Sequence, residues 1–347
     1  MIVVKMRREI MDYEEIMREI MDGLSGDEKV DMKYLAEQCE IYKNHELSQE
    51  ILRACGRLMA DILPDEAKRE YSNIVRKEEL NINFALEEMN YAIFKKDYQR
   101  AMYIVEPLVK LADENDMFSD DRVSAYFDFN EFFEEILYIK VMHPQKQIRR
   151  AEFPFTKIYL NYGTLLVEFG RNQEANVILR KALRWNPVNM RVRNEYMETL
   201  KNQRYYEEYL HMVLESFRYA FKPCDLARCY RNLGWYFIEM QMYKEAIGAY
   251  LISLDYDKNN NTAKGELYYI HQKAQNIGQP TIDEMKMLSN KYRFPIGPDW
   301  NVLNTAYENG NHFERIGMYD GARYCFEILY GLTKDINIMH RINSLPK

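Results

Sequence analysis
The chain has 347 residues, 47% hydrophobic and 29% charged, with a net charge of −7 and only 14 Gly and 10 Pro. That balance supports a continuous core of helices joined by tight turns, and it excludes a long disordered tail and a low-complexity chain. The apolar run in MIVVKMRREIMDY is three residues long, too short for a secretory leader, and no later window approaches a membrane span.

In chain order, residues 1–80 are helical by pattern and form an amino-terminal cap region without a repeat frame. Apolar residues at helical spacing run from Met32 to Leu63, and Pro64 is expected to stop them. Residues 81–150 are expected to hold degenerate helical repeats and an irregular junction. Within them, 82–115 keeps Tyr98, Ala101, Val105 and Leu108 of a hairpin pattern, with Met89 where a Gly belongs. Regularity breaks over 116–155, with the aromatic run Tyr126–Phe133 and prolines at 144 and 154, as for a junction or an inserted loop.

Residues 151–347 carry the repeat. Gly163 and Gly234 are each followed 12 residues later by an alanine (Ala175, Ala246) and 7 residues after that by another small residue (Ala182, Ser253). A Tyr stands four before each Gly (Tyr159, Tyr230), and a bulky apolar residue three after it (Leu166, Phe237). Two antiparallel helices approach most closely where Gly faces Ala, since large side chains there push the axes beyond about 8–10 Å. Pro187 falls where the second helix must end.

This frame resembles the tetratricopeptide repeat family. Its residues are Tyr159, Gly163, Leu166, Ala175, Leu179, Ala182 and Pro187, then Tyr230, Leu233, Gly234, Phe237, Ala246, Tyr250 and Ser253. The repeats span 156–189 and 227–260, with weaker copies at 190–226 (Met197, Tyr209 and Ser216 at the small places) and 303–336 (Gly310, Phe313, Ala322, Phe326 and Leu329). Between the last two copies, 261–302 reads as a degenerate hairpin broken at Gly278–Pro280 and Pro295–Pro298. The expected fold is all-α: an α-solenoid of tetratricopeptide-like hairpins with an additional amino-terminal helical region.

No local motif points to catalysis. There is no phosphate-binding glycine loop, no His-Glu-x-x-His and no Gly-x-Ser-x-Gly elbow. The six His are far apart. Asp120–Asp121 and Glu134–Glu135 read as helix-start and surface residues. The five Cys (39, 55, 224, 229, 325) are scattered, as for reduced and mostly buried thiols in a cytoplasmic protein. The expectation is no enzyme, no metal and no cofactor.

The resemblance implies groove recognition by the first helices of successive hairpins. The side opposite the seam then carries Lys157, Leu160, Asn161 and Thr164 in the first hairpin, Arg191, Asn194, Glu195 and Glu198 in the middle one, and Arg228, Arg231, Asn232 and Trp235 in the last, with Lys157, Asn161, Thr164, Arg191, Asn194, Arg228, Arg231, Asn232 and Trp235 as the candidate contacts. The net charge is −14 over 1–135, +8 over 136–205 and −1 over the remainder, so a protein or peptide ligand of acidic character is expected. The expected function is an intracellular interaction scaffold, with a peptide-sensing bacterial regulator as the alternative. The acidic amino-terminal region and the lack of a clear helix-turn-helix disfavour nucleic acid.

Overall fold
The computed structural model describes residues 2–63 and 81–346, the side chains from residue 12 onward. The chain is all-α apart from one pair of short strands. Contacts divide it into two compact units: unit 1 comprises Met1–Asp128 and Pro144–Leu165, and unit 2 comprises Phe129–His143 and Leu166–Lys347. This division follows a different line from the expected segments 1–80, 81–150 and 151–347. It passes through the junction region twice.

In unit 1, α1 (Ile2–Asp22), α2 (Glu28–Tyr42) and α3 (Ser48–Ile62) bury Tyr13, Met17, Ile20, Leu35, Leu47, Ile51, Ala54 and Cys55 in one cluster. The Met32–Leu63 pattern is thus two helices. His45 makes the break, its Nδ1 accepting the Leu47 amide at 3.1 Å. The expected stop at Pro64 lies outside the described residues. The α2 start is fixed by Asp27, whose carboxylate accepts the amides of Lys29 and Val30.

The helix at 81–94, α4, and α5 (Tyr98–Glu114) follow, with Met89, Ala101 and Val105 fully buried or nearly so and Leu108 buried. Beyond them the sequence reading missed two strands. β1 (Ser124–Phe127) pairs in parallel with β2 (Gln147–Arg150), Ser124 opposite Gln147 and Phe127 opposite Arg150. Asp121 organises the approach to β1: its Oδ1 accepts the amides of Val123 and Ser124, and Arg53 donates to its Oδ2 at 3.2 Å. Asp121 is therefore a buried turn residue and not a helix-start or surface one. α6 (Phe132–Met142) lies between the strands in sequence and belongs to unit 2.

The division passes through α7 (Phe155–Glu168) after Leu165, so the first strong repeat contributes to both units. The other repeats lie in unit 2 and are seen whole. They comprise α9 (Met190–Gln203) with α10 (Tyr206–Ser216), α11 (Pro223–Glu239) with α12 (Tyr243–Tyr256), and α15 (Trp300–Arg315) with α16 (Tyr319–Thr333). α8 (Asn172–Trp185) precedes them, and α17 (Ile336–Ser344) packs on α16. The degenerate hairpin is α13 (Asn261–Lys273) and α14 (Ile282–Tyr292), interrupted where the glycine and prolines stand.

The seams show what the repeat glycines do. A Cβ on Gly234 would sit 2.7–2.9 Å from the ring of Tyr250, and one on Gly310 2.5–3.0 Å from the ring of Phe326. Both aromatics lie 16 residues after their glycine. The glycine therefore admits a large ring from the second helix, and the alanine (Ala246, Ala322) lies buried one turn before that ring. The weak copies keep the spacing with other residues: Met89 with Val105 and Met197 with Val213, each fully buried.

Tyrosines close the seams because a phenol buries its ring and still finds an acceptor. Tyr209 donates to the Asn232 carbonyl at 3.0 Å. Tyr230 donates to the Pro295 carbonyl at 2.7 Å and accepts the Gly297 amide, tying the α14–α15 loop to α11.

Gly234→Ala tests the seam. Added helix propensity favours the alanine by roughly 1 kcal/mol, and overpacking opposes it by about 1–3 kcal/mol. We expect net destabilisation of about 1–2 kcal/mol in urea unfolding. The same change at Gly265, where among the described residues nothing beyond its own helix backbone would lie within 4 Å of a Cβ, should be neutral or stabilising.

Candidate functional site
α9 and α11 lie side by side in unit 2 and carry most of the candidate residues. Asn232 is 2% exposed and donates to Asn194 Oδ1 at 3.1 Å, joining the two helices at mid-height. One turn on, Arg228 donates to Glu198 Oε1 at 2.6 Å, and Lys201 donates to the same oxygen at 3.1 Å. Glu198 thus bridges two cations on neighbouring helices.

An aromatic floor completes the patch. Trp235 packs edge-on against Tyr209 with ring centroids 4.8 Å apart, and the Lys201 ammonium stands 4.9 Å over the Trp235 ring. Burial pushes the Lys201 ammonium below its usual range. Burial, followed by the nearby Glu198 charge, raises Glu195, and burial raises Glu266 of α13. The sequence reading placed Glu195 and Glu198 on the groove-lining side of the middle hairpin; the residues it left out are Lys201 and Glu266. Lys201 was legible in principle, since it follows Glu198 by three on the same helix face. Glu266 lies in the degenerate hairpin, where no frame marks a face.

The expected residues differ in exposure. Arg191 is exposed and makes no ion pair among the described residues. Arg228 and Trp235 are half-buried, and Asn194 is half-buried as the acceptor of Asn232. Arg231 is turned inward, its side chain 10% exposed and donating to Asp257 at 3.2 Å. Its Nε lacks a hydrogen-bond partner among the described residues. Lys157, Asn161 and Thr164 belong to unit 1: Lys157 is exposed, Asn161 is 7% exposed, and Thr164 donates to its own helix at Leu160.

Several cations of the basic middle section are paired. Arg171 pairs with Glu174, Arg180 with Glu208, Arg193 with Glu215 and Lys140 with Glu308. Glu208, Glu215 and Glu308 lie outside 136–205, so part of the +8 surplus is offset by neighbouring segments.

Among the described residues no group of His, Cys, Asp and Glu is arranged to hold a metal, and the five cysteines are free. Burial raises the thiols of Cys55, Cys229 and Cys325, keeping them protonated and unreactive. No described helix is long and apolar enough to cross a membrane.

No family model and no curated protein matches the chain. Among solved structures, PilF of Pseudomonas aeruginosa superposes with a TM-score of 0.40 at 14% identity, covering 76% of this chain and 96% of that one. The APC/C hetero-tetramer Cut9–Hcn1 superposes with a TM-score of 0.33 at 15% identity, covering 92% of this chain and 60% of that one. At these scores neither carries the fold assignment, which rests on the hairpins and their seams.

Two substitutions test whether Glu198 is the hub. Glu198→Gln removes the carboxylate that both Lys201 and Arg228 touch and should cost about 1–2 kcal/mol in urea unfolding. Lys201→Met keeps the volume and the Arg228 pair and should change stability by less than about 1 kcal/mol. A larger loss from Lys201→Met than from Glu198→Gln would contradict this arrangement.

Proposed function
We propose that the protein is an interaction scaffold and that the face built by α9, α11 and α13 binds an extended peptide or a partner segment. The observation carrying this reading is the half-exposed, ordered network of Glu198, Lys201 and Arg228 around Trp235. Partly desolvated charges cost stability unless they are held in fixed geometry. Once so held they lose little entropy on meeting a ligand. Helical hairpins support the role because each is ordered by its neighbours before anything binds.

Arg191, Arg228 and Trp235 are the proposed contact residues, with Asn194 contributing through its remaining hydrogen-bonding capacity. Asn232 and Arg231 act from behind, holding α9 and α12 against α11. In unit 1, Lys157, Asn161 and Thr164 are proposed as a separate contact point on α7. A mixed rather than purely acidic ligand suits the main face, because Glu195, Glu198 and Glu266 stand among its cations.

The test is selection of peptides on the immobilised full chain from a random display library. Selected peptides should bind with micromolar affinity and lose at least tenfold on Arg191→Glu, a substitution at an exposed position that leaves the seam intact. Failure to enrich any peptide, or peptides indifferent to both Arg191→Glu and Arg228→Ala, would overturn the reading.

A further inference from the structure
α6 is held in unit 2 as a receptor holds a peptide. Two carboxylates at its first turn are read by side chains from three separate stretches. Glu131 accepts from Lys222 Nζ and from the Tyr324 hydroxyl, the latter at 2.9 Å. Glu134 accepts from Asn186 at 2.8 Å and from Asn189 at 3.1 Å, both in the α8–α9 turn, and also from the backbone amides of Asn130 and Glu131. Glu134 is 4% exposed, so its expected surface role is corrected to that of a buried, fully engaged carboxylate.

Aromatic rings supply the anchor. Phe133 is fully buried, its centroid 5.0 Å from that of Phe221, and Phe132 lies 5.4 Å from Phe313. Lys140 pairs with Glu308 at 3.0 Å and the Tyr219 hydroxyl meets the Met142 sulfur, while Ile139 and Met142 remain exposed. After Met142 the chain turns through the left-handed His143 (φ 46°).

The charges at the first turn do not balance. Asp225 at the start of α11 is half-buried near Glu131 and Glu134, and among the described residues Lys222, paired with Glu131 and close to Asp225, is the cation of this cluster. Among the described residues the other titratable neighbours include the Cys224 and Cys229 thiols on α11 and the Tyr324 phenol on α16. All three are pushed up, first by burial, and are neutral near pH 7. Glu134 is likewise raised by burial, and Asp225 is raised to about 6, first by burial and then by the two glutamates against the opposing pull of Lys222.

We propose that α6 is a releasable latch on unit 2, held by recognition of Glu131 and Glu134, and that its hold strengthens as the solution becomes mildly acidic because three carboxylates gather there around a single lysine. Docking brings Asp225 beside the glutamates and out of water, so the docked state binds protons more tightly than the released one. Stability of the docked state is then fully present below the released-state value near 3.8 and is lost as pH rises through about 6. Asp225 alone makes docking roughly fourfold more favourable at pH 5.5 than at pH 7.5. The latch stands on the contacts of α6, so its failure and that of the peptide face are independent.

Hydrogen–deuterium exchange on the full chain, corrected for intrinsic rates, tests it. Amides of 129–143 should exchange before those of 246–253 in α12. Their protection should be at least about fourfold higher at pH 5.5 than at pH 7.5. Asp225→Asn should raise protection at pH 7.5 and flatten the dependence, and Lys222→Met should lower protection at both values. Exchange of 129–143 only together with α12 would overturn the proposal, as would a wild-type ratio below twofold or an unchanged pH dependence in Asp225→Asn. If that variant does not fold, the wild-type ratio and Lys222→Met still decide.

Discussion
Two hairpins of unit 2 depend on room for one ring each. A helix pair can approach closely with a tyrosine or phenylalanine between its axes only if the opposing position carries no side chain, and Gly234 and Gly310 supply that space to Tyr250 and Phe326. The ring then fills the seam at interior density, and its neighbours one turn away must be small or follow its outline. From this follow the rhythm of Gly, Ala and aromatic, the stacking of hairpins, and the side-by-side first helices that bring Glu198 to Arg228.

Much of this was legible because glycine has no substitute where a ring must enter. The repeat frame located α11, α12, α15 and α16, and Pro187 marked the end of α8 at Trp185. The sequence reading misjudged which residue the glycine faces. Spacing alone pairs Gly with Ala by size, whereas the contact is with the aromatic 16 residues on. Met89 and Met197 show why weak copies looked weak. An unbranched thioether can fit where glycine is usual if the opposing residue shrinks to valine, and such compensation is invisible to a one-position frame.

The junction was opaque for a different reason. Ser124–Phe127 and Gln147–Arg150 are short strands separated by a helix, and neither shows alternation long enough to announce a sheet. Glu134 looked like any acidic residue in a first helical turn. It is instead buried by Asn186 and Asn189, some fifty residues away. Of the candidate face, Arg228 and Trp235 were found by opposing them to the seam, whereas Arg231 and Asn232 turn inward because neighbouring helices offer them Asp257 and Asn194. Helical position predicts direction and leaves out what lies across it.

A double-mutant cycle between Gly234 and Tyr250 reaches the central claim most directly. If the glycine exists to admit the ring, Gly234→Ala should destabilise the wild-type background by about 1–2 kcal/mol and cost nothing, or stabilise, once Tyr250→Leu has removed the ring, a coupling of at least about 1 kcal/mol. Additive effects of the two substitutions would contradict the account, because they would mean that the absence of a side chain at 234 serves something other than the ring across the seam.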